Sequence, residues 1–178
     1  MQDELKINRS ILRLVKGDYT DMEIDSIVYY AQSDLKLGSG FGKAIAVRGG
    51  PSIQEELKQY GTVNTTEVVM TEAGEMKTNY IIHAVGPKFQ EQDIEDKLCT
   101  TVRNCLEKAD EKRIKGIAFP PMGCGFYGVP LDLSAKIMID TITEYLSGET
   151  QIQDIVISLL DNREYKQFQE KLAAKSKA

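Results

Sequence analysis

Gly123-Cys124-Gly125-Phe126-Tyr127-Gly128 follows the apolar run Ile114 to Phe119 and precedes a helical pattern from Ala135 to Leu146. The string is a literal G-x-G-x-x-G at a strand-to-helix turn. Glycines at this spacing keep Cβ atoms out of the way, so that successive main-chain N–H groups form a concave anion nest. Such donors need no basic side chain. Gly38-Ser39-Gly40-Phe41-Gly42 repeats the arrangement ahead of Ala44, Ile45 and Val47, and again a glycine turn opens onto a helix. Each string alone is equally compatible with a tight turn.

Outward from these loops, short β-rich runs alternate with helical patterns from Ile11 to Leu172, which is α/β organisation. Strands are expected at Ile11–Val15, Ser26–Tyr30, Glu67–Thr71, Tyr80–Val85, Ile114–Phe119 and Asp154–Leu160, most of them apolar enough to be buried on both faces. Ile94, Leu98, Val102, Leu106 and Ala109 fall at helical spacing and put one apolar stripe on a long helix. Ala135, Met138, Ile139, Ile142, Tyr145 and Leu146 do the same, as do Tyr165, Phe168 and Leu172. Gly49-Gly50-Pro51 interrupts the segment after the first glycine loop, and Pro51 is expected as the first residue of a new helix. Met1 to Ser10 and Ala173 to Ala178 carry few apolar residues and are expected to fray.

A length of 178 residues suits one domain, read as residues 1–178 with a core of about 11–172. The formal charge of −5 and the scatter of the basic residues disfavour broad nucleic-acid binding. Cys99, Cys105 and Cys124 are odd in number with no C-x-x-C spacing, and the lone His83 sits in an apolar run, so neither a metal site nor a disulfide framework is expected. No cofactor is implied. No stretch approaches a membrane span, and the charged Met1 to Asn8 does not read as a signal peptide, so the expected location is cytoplasmic.

The dinucleotide-binding fold of dehydrogenases uses the same glycine string, but three features argue against it. Pro120 and Pro121 separate strand from glycines, the motif comes late in the chain, and the acid some 20 residues on, Asp140, lies inside an amphipathic helix. Gly17-Asp18-Tyr19-Thr20 after the first strand is a third loop at a carboxyl end. Asp18 there can accept from an exocyclic amine or simply cap a turn.

Several blocks together resemble the macrodomain family, over about Ile11 to Leu172. They are Val15-Lys16-Gly17-Asp18-Tyr19-Thr20, Asp25-Ser26-Ile27-Val28, Gly38-Ser39-Gly40-Phe41 with Ala44-Ile45, Gly49-Gly50-Pro51, Tyr80-Ile81-Ile82-His83-Ala84-Val85-Gly86-Pro87, and Phe119-Pro120 leading to Gly125-Phe126-Tyr127-Gly128. The resemblance implies a three-layer αβα sandwich with a mixed central sheet and a cleft at its crest for ADP-ribose, free or carried on a macromolecule. It further implies that Asp18 contacts the adenine amine and the Tyr19 main chain the adenine ring. Gly38, Ser39, Gly40 and Phe41 would hold the diphosphate and distal ribose together with Gly123, Cys124, Gly125, Phe126 and Tyr127, and Phe126 and Tyr127 would pack on the ribose. His83 reads as a satisfied interior residue.

Departures from the family pattern concern turnover. Where members with hydrolase activity carry N-A-A-N, this chain has Tyr29-Tyr30-Ala31-Gln32, so Gln32 offers the amide for the distal ribose on a longer arm. Gly42 stands where one hydrolase branch has an acid, and Asp34 is the candidate substitute for it, against a plain turn aspartate. Tyr29, Tyr30 and Phe41 are bulky enough to narrow the distal-ribose end. Leu160 replaces an aromatic shelf under adenine found in some relatives. Binding of ADP-ribose is therefore the primary expectation, and an ADP-ribosyl hydrolase or ADP-ribose 1''-phosphate phosphatase, with Gln32 and Asp34 as its catalytic candidates, the alternative. A third reading is a cleft altered to take another nucleotide or a protein contact.

Overall fold

A computed structural model describes residues 3–38 and 40–177. Seven strands form one sheet: β1 (Glu4–Ile7), β2 (Ser10–Lys16), β3 (Ser26–Tyr30), β4 (Val68–Glu72), β5 (Tyr80–Ala84), β6 (Gly116–Phe119) and β7 (Asp154–Leu159). Five α-helices accompany them: α1 (Phe41–Gly49), α2 (Ser52–Leu57), α3 (Ile94–Glu111), α4 (Leu131–Ser147) and α5 (Asn162–Ser176). The strand order is β1-β2-β7-β6-β3-β5-β4. The five inner strands run parallel, and only β1 on β2 and β4 on β5 are antiparallel, so the sheet is mixed.

Helices cover both faces, which is why the inner strands are apolar on every side chain rather than on alternate ones. Val28, Ile82, Ile117, Phe119, Ile155 and Ile157 face α3, α4 and α5, joining Leu98, Val102, Met138, Ile142, Phe168 and Leu172 in one core layer. Ile27, Ile81, Ala118 and Val156 point the other way, onto Ile45, Ile53 and Leu57 of α1 and α2. Residues 27 and 28, or 156 and 157, thus lie on opposite faces, as the two-residue period of a strand requires. The result is the expected three-layer αβα sandwich.

The ends of the chain differ from expectation. Glu4–Ile7 is a strand rather than a frayed end, in register with Ile7 opposite Ser10 and Glu4 opposite Arg13. Leu5 and Ile7 alternate onto the main core, and Asn8 turns the hairpin at φ 54° while its amide donates to the Leu146 and Ser147 carbonyls. Two apolar residues at strand spacing suffice once a neighbouring strand supplies the ladder. At the other end α5 continues through Ser176. Pro51 caps α2 at φ −73° one position ahead of its first helical residue, and the remaining strand limits shift by a residue or two.

Candidate functional site

Because the inner strands are parallel, the loops after β2, β3, β6 and β7 emerge at one edge of the sheet, where open α/β sheets leave a crevice. There they enclose a cleft of about 530 Å³. The second glycine loop forms one wall. Gly123 and Gly125 both have φ +78°, a left-handed conformation that side chains disfavour, and a Cβ on Gly125 would project into open space. Val129 N–H donates back to the Gly123 carbonyl at 3.0 Å, which closes the loop. Gly125–Tyr127 forms a single 3-10 turn, and the first N–H groups of such a turn have no carbonyl within it to bond.

The opposite wall is the start of α1. Gly40 caps that helix at φ 57°, and its carbonyl accepts from Ala44 N–H, leaving the N–H groups of Phe41, Gly42 and Lys43 without an intrahelical partner. Two turns whose first main-chain N–H groups have no partner within their own helix among the described residues therefore meet at one cleft, lined by Gly40 and Phe41 on one side and Gly125–Tyr127 on the other, the former at the positive end of a helix dipole.

Ten of the residues singled out from the sequence line this cleft: Tyr19, Gln32, Gly40, Phe41, Gly123, Cys124, Gly125, Phe126, Tyr127 and Leu160. Phe126 is 80% exposed and meets Tyr127 edge to face at 5.3 Å, forming a projecting aromatic rim. Leu160, 56% exposed, is an apolar shelf at the far side. Burial pushes the Cys124 thiol up to about 11 and the Tyr127 hydroxyl up to about 12, so both stay protonated at neutral pH.

The others fall elsewhere. Asp18 does not wall the cleft: its Oδ1 accepts from Thr20 N–H at 2.9 Å and Thr20 Oγ1 at 2.6 Å, capping the turn Tyr19–Asp21, and Arg48 approaches its Oδ2 at 3.4 Å. Partial burial works to raise its pKa, but the Thr20 donors and Arg48 outweigh it and hold the carboxyl below the usual value. Gly38 is exposed outside the cleft, and Ser39 lies outside the described residues. Asp34 accepts from Lys36 N–H at 3.0 Å in a turn and lines a second cavity of about 330 Å³. Gln32, Phe126 and Tyr127 border both spaces.

His83 is fully buried as expected, but only half satisfied. Thr71 Oγ1 lies 2.9 Å from its Nε2, whereas Nδ1 has no partner among the described residues, and burial drives its pKa down to about 3.

The structure adds residues that the sequence reading did not assign. Arg163 and Glu164 reach the cleft from the first turn of α5. Asp161 accepts from Glu164 N–H at 2.9 Å while Glu164 Oε1 accepts from Leu160 N–H at 2.8 Å, a reciprocal cap signalled by the D-x-x-E spacing of Asp161 and Glu164. Tyr29 and Tyr30, which the sequence reading considered only for their bulk at the distal-ribose end, line the cleft from opposite faces of β3. Tyr30 donates to the Pro87 carbonyl and packs edge-on against Tyr127 at 4.7 Å.

Comparison with known proteins gives the same picture. Residues 28–138 match the family model described as Macro domain. A macro domain-containing protein of Caldanaerobacter subterraneus is 37% identical over 88% of this chain and 93% of its own length. The Oceanobacillus iheyensis macrodomain solved with ADP superposes with a TM-score of 0.94 at 29% identity, over 98% of this chain and 96% of that one. The Trypanosoma brucei macrodomain in complex with ADP-ribose gives 0.84 at 25% identity, over 89% of this chain and 68% of that one.

Proposed function

The chain belongs to the macro domain family, and from that premise we propose that it binds ADP-ribose through the amides of its two glycine loops. The observation that carries the reading is the pairing of two donor-bearing turns, the start of α1 at Gly40 and Phe41 and the turn Gly125–Tyr127, in the lining of one cleft of about 530 Å³. A diphosphate between them accepts hydrogen bonds from N–H groups for which the loops themselves supply no acceptor. The solved relatives that hold ADP and ADP-ribose support the choice of ligand. Residues 1–178 are then one macro domain whose core reaches outward from 11–172 to Glu4.

Within this reading, Tyr19, Gln32, Gly40, Phe41, Gly123, Cys124, Gly125, Phe126, Tyr127 and Leu160 are the contact residues, and Asp18 meets the adenine from the rim. Gln32 and Phe126 mark the distal end, where the second cavity gives an attached protein or nucleic acid a way out. Binding is better supported than hydrolysis. Asp34 faces the other cavity, a side chain on Gly42 would meet the Tyr29 hydroxyl, and Glu164 is held in the cap of α5. Free cysteines at 99, 105 and 124 support a cytoplasmic location, and no helix among the described residues is long and apolar enough to cross a membrane.

Calorimetric titration with ADP-ribose tests the proposal. The expected Kd is about 1 μM or tighter, about −8 kcal/mol. No heat and no thermal stabilisation at millimolar ligand would refute it.

A further inference from the structure

Two tyrosine hydroxyls beneath the first glycine loop make no hydrogen bond among the described residues, and that of Tyr19 is fully buried. Tyr19 is 1% exposed and its ring lies edge-on to Phe41 at 4.9 Å, in the cleft wall, yet its buried hydroxyl bonds to nothing among the described residues. Buried hydroxyls are nearly always paired, so an orphan bordering a ligand cleft requires an explanation. Tyr29 lines the same cleft, and its hydroxyl makes no hydrogen bond among the described residues either.

The position of Tyr29 is fixed by its neighbours. A Cβ on Gly42 would stand 2.4 Å from the Tyr29 oxygen, so the phenol occupies the space that any other residue at the second position of α1 would fill. Gly42 is thus matched to Tyr29, and the hydroxyl is held beside the N–H groups that start the helix. Tyr30 shows what the fold does with a phenol used only for packing: its hydroxyl is bonded to the Pro87 carbonyl. The His83 Nδ1 is a third orphan on this face, but His83 does not line the cleft and takes no part.

We infer that the Tyr19 and Tyr29 hydroxyls are specificity-determining donors to the bound nucleotide, taking an acceptor oxygen of its diphosphate or distal sugar from below the first glycine loop. The inference rests on the ADP-ribose reading and adds a side-chain contact to a cradle otherwise made of main chain. Burial raises the pKa of both phenols, so they carry their protons at neutral pH and can donate. The ligand then satisfies the orphan as well as being held by it.

The test is titration of wild type, Tyr19→Phe and Tyr29→Phe with ADP-ribose and with ADP, alongside thermal melting of the free proteins. Both variants keep the ring and its packing, so folding is retained. Each should weaken ADP-ribose binding about tenfold while the free protein melts no lower than wild type. A loss shared by ADP places the acceptor on the diphosphate, and a loss confined to ADP-ribose places it on the distal sugar. Unchanged affinity of both variants for both nucleotides overturns the inference while leaving the ADP-ribose reading intact. A wild type that binds neither nucleotide overturns both.

Discussion

The two walls of the cleft are built on opposite principles. On the side of the second glycine loop the buried tyrosine is settled: Tyr30 bonds to the Pro87 carbonyl, its ring fills the space above Gly86, and Tyr127 closes over it. On the side of the first loop, the Tyr19 hydroxyl and the His83 Nδ1 are buried without partners among the described residues, and Tyr29 stands between them with a hydroxyl that makes no hydrogen bond among those residues. Residues 29 and 30 are adjacent in sequence and chemically identical. Which face of β3 each occupies decides whether it is a structural strut or a group left open to a ligand. Unpaired polar groups lower stability, so their concentration on one wall marks where the protein retains hydrogen-bonding capacity for something else.

The comparison can be broken at several points. The largest effect is expected from Gly125→Glu, which sets a carboxylate in the nest of the settled wall. A side chain at φ +78° costs about 1 to 2 kcal/mol, tolerable for folding, while repulsion should reduce ADP-ribose affinity more than about a hundredfold by calorimetry. Retained affinity would mean that the second loop does not face the diphosphate.

Acid comes next, and acts at His83, behind the open wall. His83 titrates at about 3 in the folded chain against 6.5 for the free side chain, so between those values the unfolded chain binds a proton that the folded one refuses. Stability is therefore full above pH 6.5 and falls as the pH drops toward 3, by an amount on the order of 4 kcal/mol. Urea unfolding of wild type and His83→Gln over this range should show the smaller slope in the variant; equal slopes would place the acid sensitivity elsewhere.

Gly86→Ala tests the settled wall by overfilling it, since the new Cβ would lie 2.3 Å from the Tyr30 ring. A loss of about 1 to 3 kcal/mol in urea unfolding is expected. Tyr30→Phe should cost less, about 1 kcal/mol, and leave ADP-ribose affinity within about twofold, because that hydroxyl is spent on Pro87. A large loss of affinity in Tyr30→Phe would erase the distinction between the walls.

Much of this was legible in the sequence. The apolar runs located the inner strands, with Ser26–Tyr30 placed to the residue, and the glycine strings fall at the start of α1 and on the turn Gly125–Tyr127. What escaped depends on partners distant in the chain. Leu5 and Ile7 offer too short a pattern to reveal β1 until Leu12 and Ser10 of β2 are set opposite them. The Asp18 cap and the Arg163–Glu164 approach are local signals whose competing readings only geometry separates. The opposite fates of Tyr29 and Tyr30 hinge on a carbonyl 57 residues away for one and on a glycine in α1 for the other.

The account stands on main-chain hydrogens gathering around a diphosphate. The direct measurement is an amide-resolved NMR titration of the uniformly 15N-labelled protein with ADP-ribose. The account predicts that the N–H resonances of Phe41–Lys43 and Gly125–Tyr127 shift most and together, saturating at one Kd. Shifts confined to other loops, or to only one of these two segments, would contradict it.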